Sequence, residues 1–251
     1  MPPRLFVDLS LSHGLAFSLP SGPARHVQVL RLQPGAPLTL FDGSGGEWRA
    51  SVTHMGRSDV QVQLDTHDAV DRELPLAVTL ALGMPANERM DTLVEKATEL
   101  GVAAIQPLVC QRSVLRLSGE RAQKKVAHWQ AVAVAACEQC GRTRVPRIGP
   151  VMAFDDWLAP LRAGARRGDE ARVVLSFTGA PAGASRAGAG RAGVLCLSGP
   201  EGGLSEGEES AARGAGFAPL SLGARVLRAD TAPLALLAHL ALATPAQPDT
   251  R

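Results

Sequence analysis

The 251-residue chain contains no tyrosine, and aromatic residues make up 4% of it. A binding face built from many stacked rings is therefore not expected. Long apolar runs are missing too. The most apolar stretch, Ala232 to Ala243, is too short to cross a bilayer. No apolar leader follows Met1-Pro2-Pro3-Arg4, so a secretory signal is not expected. Cysteine is scarce, with four residues. Without a secretion signal these read as reduced thiols in a cytoplasmic protein. Neither sign of charge dominates: 26 Lys and Arg against 24 Asp and Glu leave a net charge of +2. That balance does not by itself imply a nucleic-acid partner, and the placement of the arginines matters more.

What is present is an ordinary globular composition, 45% hydrophobic and 20% charged. The length suits one large domain or two small ones. The last third organises the rest. The apolar run Val194-Leu195-Cys196-Leu197 ends at Ser198, and Gly199-Pro200-Glu201-Gly202-Gly203-Leu204-Ser205 follows at once. A second run, Phe217 to Leu222, ends in Gly223-Ala224-Arg225-Val226-Leu227-Arg228-Ala229-Asp230-Thr231-Ala232, before an Ala- and Leu-rich segment. The pattern predicts strand, glycine turn and helix, twice over, in an α/β fold. Ligands of open α/β sheets sit outside the carboxyl ends of strands, where such turns lie. Glycine lets the backbone approach them closely. Ser205 with Glu208 predicts a capping box on the first helix. The carboxylates Glu206, Glu208 and Glu209 make that helix start a poor phosphate site. The turn also lacks the Gly-Lys-Ser/Thr and G-x-G-x-x-G patterns of phosphate-binding loops. The expected ligand is nucleoside-like and poor in phosphate.

Residues 1–72 read as β-rich. The strands expected are Arg4 to Val7, Pro37 to Phe41, Glu47 to Val52 and Asp59 to Leu64, with a turn at Asp42-Gly43-Ser44-Gly45-Gly46. Short strands with close turns suggest a small barrel. A helix from Ala24 to Leu32 carries Arg25, His26 and Arg31. The polar stretch Asp65 to Pro75 marks a domain boundary.

Beyond it, Leu76 to Leu82 predicts a buried strand. Glu88 to Leu100 predicts a helix capped by Asn87 and closed by Gly101, with Met90, Leu93, Val94, Ala97 and Leu100 on its apolar stripe. Val102 to Val109 predicts a strand, placed at an edge or irregular position by Pro107. Glu120 to Cys140 is the longest helical pattern. Its end, Cys137-Glu138-Gln139-Cys140, is a lone C-x-x-C without a second pair or nearby His, and reads as packing. Arg142, Arg144 and Arg147 follow as a cluster suited to phosphates. Phe154 to Ala163 predicts a helix, Ala171 to Phe177 a buried strand, and Thr178 to Gly193 a mobile loop.

The two glycine turns closely resemble those of the RsmE family, the small-subunit (16S) ribosomal RNA uracil-N3 methyltransferases. Other stretches share the resemblance: Glu95-Lys96-Ala97-Thr98-Glu99-Leu100-Gly101-Val102, Ala136-Cys137-Glu138-Gln139-Cys140-Gly141-Arg142 with Pro146, His26-Val27 to Val29-Leu30-Arg31, and Phe41-Asp42-Gly43. Together they cover nearly the whole chain. The chain departs from the family at Pro85-Ala86-Asn87, where Lys or Gly is frequent, and at Asp230, where Glu is usual. The shorter Asp230 is expected still to cap the last helix.

The resemblance implies a PUA-like RNA-binding β-barrel over residues 1–72 and a SPOUT methyltransferase domain over 73–251. It implies a trefoil knot, S-adenosylmethionine bound in the knotted loops, and a homodimer. The partner would be ribosomal RNA or the small ribosomal subunit, in the cytoplasm, with neither membrane nor metal. The cofactor would lie against Leu175, Ser198, Gly199, Pro200, Glu201, Gly202, Gly203, Leu222, Gly223, Val226, Leu227 and Arg228. RNA would meet Arg4, Arg25, His26, Arg31, Arg112, Arg142 and Arg144.

Methylation at uracil N3 removes a proton and leaves negative charge over O2 and O4. Arg228 is the first candidate to stabilise that charge. An equal reading makes it a structural arginine pairing with Glu201 or Asp230. Glu201 or Glu138 is the candidate base, with solvent as the alternative. Three other functions stay open: methylation of a ribose 2′-hydroxyl, RNA binding without catalysis, and zinc or thiol-redox chemistry at Cys137 and Cys140.

Overall fold

Alternation along Val60–Asp68 puts Val60, Val62 and Leu64 on one face, and all three are buried. The computed structural model describes residues 2–57, 59–86, 88–164, 169–180 and 188–243. Two compact units are present: Met1–Glu73 with Val134–Val145, and Leu74–Ala133 with Pro146–Arg251.

In the first unit β1 (Arg4–Phe6), β2 (Ala16–Ser18), β3 (Pro37–Phe41), β4 (Glu47–Met55) and β5 (Val60–Asp68) form one sheet in the order β1-β3-β4-β5-β2. Leu5, Val7, Leu38, Leu40, Val52, Val60 and Val62 fill its core. The turn after β3 is set by Asp42, whose Oδ1 accepts the Ser44 N–H at 2.9 Å. The helix of this unit spans Ser21–Val29, earlier than the Ala24 to Leu32 expected. It stops because Arg31 takes a φ of 54°, and the Leu32 N–H then closes the end on Val27 O at 3.3 Å.

The end of the long helix Gly119–Cys140 and the segment after it, together Val134–Val145, belong to this unit. Arg4 donates to Glu47 at 2.9 Å and to Cys137 O at 2.8 Å. The Phe6 N–H donates to Glu138 Oε1 at 2.9 Å, and Arg142 Nε donates to Glu73 at 2.8 Å.

The second unit is a parallel sheet of seven strands. They are β6 (Ala77–Gly83), β7 (Ala104–Val109), β8 (Arg147–Ile148), β9 (Met152–Ala153), β10 (Glu170–Ala180), β11 (Gly193–Ser198) and β12 (Ala218–Leu220). The order is β12-β10-β11-β6-β7-β8, with β9 also on β7. Every residue of β11 is buried, as a strand covered on both faces requires. β11 lies beside β10, and β12 crosses back to its other side. The carboxyl ends of these strands therefore meet where the strand order reverses, the usual ligand position of such sheets.

Helix Glu88–Glu99 buries Met90, Leu93, Val94 and Ala97, the expected stripe. Gly101, at φ 91°, closes it, with the Val102 N–H on Ala97 O. The expected cap, Asn87, lies outside the described residues, as do residues 181–187 of the expected loop. Pro107 is not on an edge strand. β7 pairs with β6 on one side and with β8 and β9 on the other, and Pro107 falls in the gap between the β8 and β9 pairings. There a missing N–H removes no ladder bond. Helix Glu206–Gly214 starts with the predicted capping box: Ser205 Oγ accepts the Glu208 N–H at 3.2 Å, and Glu208 Oε2 accepts the Ser205 N–H at 2.9 Å.

Candidate cofactor site

At the carboxyl ends of β10, β11 and β12 lies one cavity of about 390 Å³. Two glycine turns form most of its wall. In the first, the Gly203 N–H donates to Pro200 O at 2.8 Å, and Gly203 sits at φ 69°. A Cβ on Gly199 would lie 2.6 Å from the Leu204 nitrogen, so no larger residue fits this turn. In the second, Gly223 takes a φ of 105°, and its N–H donates to Ser221 Oγ at 3.3 Å.

The first turn is gripped from two distant stretches. After β6, the Ala86 N–H donates to Glu201 Oε1 at 2.9 Å, and Arg89 stands 3.8 Å from the same oxygen. After β7, Arg112 donates to Gly202 O at 3.1 Å and Leu204 O at 3.3 Å, and the Gln111 N–H donates to Glu208 Oε1 at 2.7 Å. A Cβ on Gly83 would meet Pro200 N at 2.6 Å, so β6 also packs closely under the turn.

Leu175, Ser198, Gly199, Pro200, Glu201, Gly203, Leu222, Gly223, Val226, Leu227 and Arg228 all line this cavity. Gly202 does not; a Cβ there would face Arg112 Cβ at 3.0 Å. Sequence reasoning missed Arg89, Arg225 and Phe177, which also line it. The available signal for Arg89 was its position at the start of the helix leaving β6, on the ligand end of the sheet.

Glu201 is the only carboxylate lining the cavity among the described residues, against Arg89, Arg225 and Arg228. Arg228 is exposed, and its guanidinium has no hydrogen bond or ion pair among the described residues. The structural reading of Arg228 is thereby corrected: Glu201 faces Arg89. Asp230 does not act as the expected cap through Oδ1, which is buried without a partner among the described residues. Arg228 O instead accepts the Thr231 and Ala232 N–H groups at 3.0 Å. A largely apolar cavity walled by close main-chain turns fits a nucleoside-sized ligand.

Several sequence expectations need correction. Glu138 does not line the cavity. Burial pushes its carboxyl up, against the opposing pull of the Phe6 N–H and the His26 and Arg4 charges. Arg4 and Arg142 are not free for phosphate: Arg4 is held by Glu47, and Arg142, 5% exposed, by Glu73. Arg112 is tied to the glycine turn. Arg25, His26, Arg31, Arg144 and Arg147 are exposed. Cys137 is buried, and desolvation raises its thiol to about 12.

A parallel sheet with this end-on cavity defines a nucleotide-type binding fold, and comparison with known proteins narrows it to RNA methyltransferases. Residues 72–241 match the RNA methyltransferase domain, and residues 24–65 the RNA methyltransferase PUA domain. The ribosomal RNA small subunit methyltransferase E of a Synechocystis species is 35% identical over 85% of this chain and 68% of its own. That of Bacillus subtilis is 28% identical over 96% of both chains. The crystal structure of the Neisseria gonorrhoeae enzyme, bound to S-adenosylmethionine, superposes with a TM-score of 0.85 at 35% identity, over 95% of this chain and 96% of that one. The chain belongs to the ribosomal RNA small subunit methyltransferase E family.

Proposed function

We propose that this protein methylates N3 of a uracil in the 16S RNA of the small ribosomal subunit, with S-adenosylmethionine as donor. The observation that carries this reading is the cavity between two glycine turns, with Arg228 unpaired beside it and Glu201 its one lining carboxylate among the described residues. When bound, the donor supplies a methyl group already activated on a sulfonium. The chain's part is to hold, orient and balance charge. The turns at Gly199, Gly203 and Gly223 and the side chains of Leu175, Leu222 and Leu227 hold the nucleoside. Holding both reactants in one cavity replaces a bimolecular encounter. Glu201 takes the N3 proton, and the Arg228 guanidinium stabilises the negative charge left over O2 and O4.

Residues 1–72 serve as the PUA-like RNA-binding domain, and residues 73–251 as the SPOUT methyltransferase domain. The grip of the stretches after β6 and β7 on the turn after β11 supports a trefoil knot there. Helix Thr231–Ala243 is apolar along nearly its whole length and leaves Leu242 89% exposed, which supports a homodimer. The enzyme works in the cytoplasm, where its ribosomal substrate is assembled.

The test is mass spectrometry of 16S RNA from cells lacking the protein. The expected result is loss of one 3-methyluridine, restored when purified protein and donor are added to those subunits. An unchanged set of methyluridines, or restoration of a 2′-O-methyl group instead, overturns the proposal.

A further inference from the structure

The exposed part of the cavity wall has a composition of its own. Phe177 is 70% exposed and Val226 81% exposed, and both line the cavity. No other phenylalanine or tryptophan among the described residues is an exposed side chain. Arg225 and Arg228 are the exposed cations lining the same cavity. The remaining wall is main chain at the glycine turns, the Glu201–Arg89 pair, and partly buried or buried side chains such as Leu175, Leu204 and Leu220. An aromatic and a branched aliphatic side chain left uncovered beside two arginines make a poor water-facing surface and a good nucleobase contact.

A base inside structured RNA must leave its stack before a group in a protein cavity can act on it. It then loses stacking on both faces. Apolar side chains at the entrance restore that contact, and neighbouring cations meet the flanking phosphates. We infer that Phe177 and Val226 form a slot that takes the planar faces of the target uracil after it leaves the RNA stack, with Arg225 on the adjoining phosphate. This rests on the function proposed above. It assigns the exposed rim to the substrate base and leaves the inner cavity to the donor.

The experiment uses the full chain and small ribosomal subunits from cells lacking it. Single-turnover methyl transfer is measured against subunit concentration for wild type, Phe177→Ala, Phe177→Trp and Val226→Ser. Affinity for S-adenosylhomocysteine is measured in parallel by calorimetry. Phe177→Ala is expected to raise the half-saturating subunit concentration about tenfold or more, the scale of one lost stacking contact. Phe177→Trp should restore it, and Val226→Ser should give a smaller rise. Affinity for S-adenosylhomocysteine should stay within about twofold in both Phe177 variants, which also reports an intact fold. Unchanged half-saturation in Phe177→Ala overturns the slot. So does a parallel loss of S-adenosylhomocysteine affinity, which would place Phe177 on the donor's adenine. If wild type transfers no methyl group to the subunits, the proposed function fails, and the slot with it.

Discussion

Arg112 reaches the first glycine turn from the loop after β7 and donates to Gly202 O at 3.1 Å. Its second bond, to Leu204 O at 3.3 Å, spans the turn, so one guanidinium fixes two carbonyls of the cavity wall. Arg112→Ala should therefore weaken S-adenosylhomocysteine binding about tenfold, the low end for charge-assisted bonds at an exposed site. Arg112→Lys should recover only part, because an ammonium does not reproduce the planar fork. Calorimetry decides: wild-type affinity in Arg112→Ala would mean that the other contacts of the turn shape it without Arg112.

Arg89 stands 3.8 Å from Glu201, whereas Arg228, in the same cavity wall, makes no such pair among the described residues. Since it has no internal partner among the described residues, Arg228→Ala should leave the melting temperature nearly unchanged. The rate of methyl transfer should fall by about a hundredfold or more, as when a group stabilising developing charge is removed. A large loss of stability at a preserved rate would assign it a structural role after all.

The first unit should be acid-sensitive. Desolvation raises the Glu47 carboxyl, but hydrogen bonds and charge from Arg72 and Arg4 outweigh it and hold the group below its ordinary value of 4.5. A carboxylate lowered on folding stabilises the fold above its unfolded pKa, and that contribution is lost as pH falls through the folded value. Glu138, raised by burial, acts in the opposite sense: its charged form is disfavoured in the fold, and the penalty is relieved as pH falls. Glu47→Gln should lower the melting temperature at pH 7 and narrow its drop between pH 7 and pH 3. An equal drop in wild type and variant would show that Glu47 does not set the acid response.

RNA contact and fold maintenance should separate among the arginines. Arg25→Ala with Arg31→Ala should weaken subunit binding and flatten its salt dependence by about one unit per lost phosphate contact. Donor affinity should not change. Arg142→Ala should instead destabilise the fold by up to about 3 kcal/mol, because it leaves Glu73, whose side chain is 13% exposed, without its charge partner. Salt titrations and thermal melts on the same proteins test both statements. A flattened salt slope with normal stability in Arg142→Ala would return that residue to the RNA surface.

Cys137→Ala with Cys140→Ala should keep methyl transfer within a few-fold of wild type. Cys137 is buried, and its Sγ lies 3.7 Å from Arg144 O, the placement of a packed thiol. Lost activity, or stoichiometric zinc in the purified protein, would reopen the metal or redox reading.

The sequence by itself determined what depends on near neighbours. The Ser205–Glu208 capping box, the stripe through Met90, Leu93, Val94 and Ala97, the closure at Gly101 and the alternation of β5 are set within a few residues, so local spacing makes them legible. The glycine turns were legible for the same reason, because few residues other than glycine tolerate such tight backbone. The fates of individual charged side chains were not. Arg4, Arg112 and Arg142 look like Arg25 and Arg228 in sequence. They differ because Glu47, Gly202 and Glu73, the groups that occupy them, come from far along the chain. Only the tertiary structure decided that Arg89 joins the cavity, that Glu138 lies off it, and that Pro107 fits an internal strand at a gap between two pairings. Burial and hydrogen-bond partners depend on which distant segments the fold brings together, and local spacing carries no record of them.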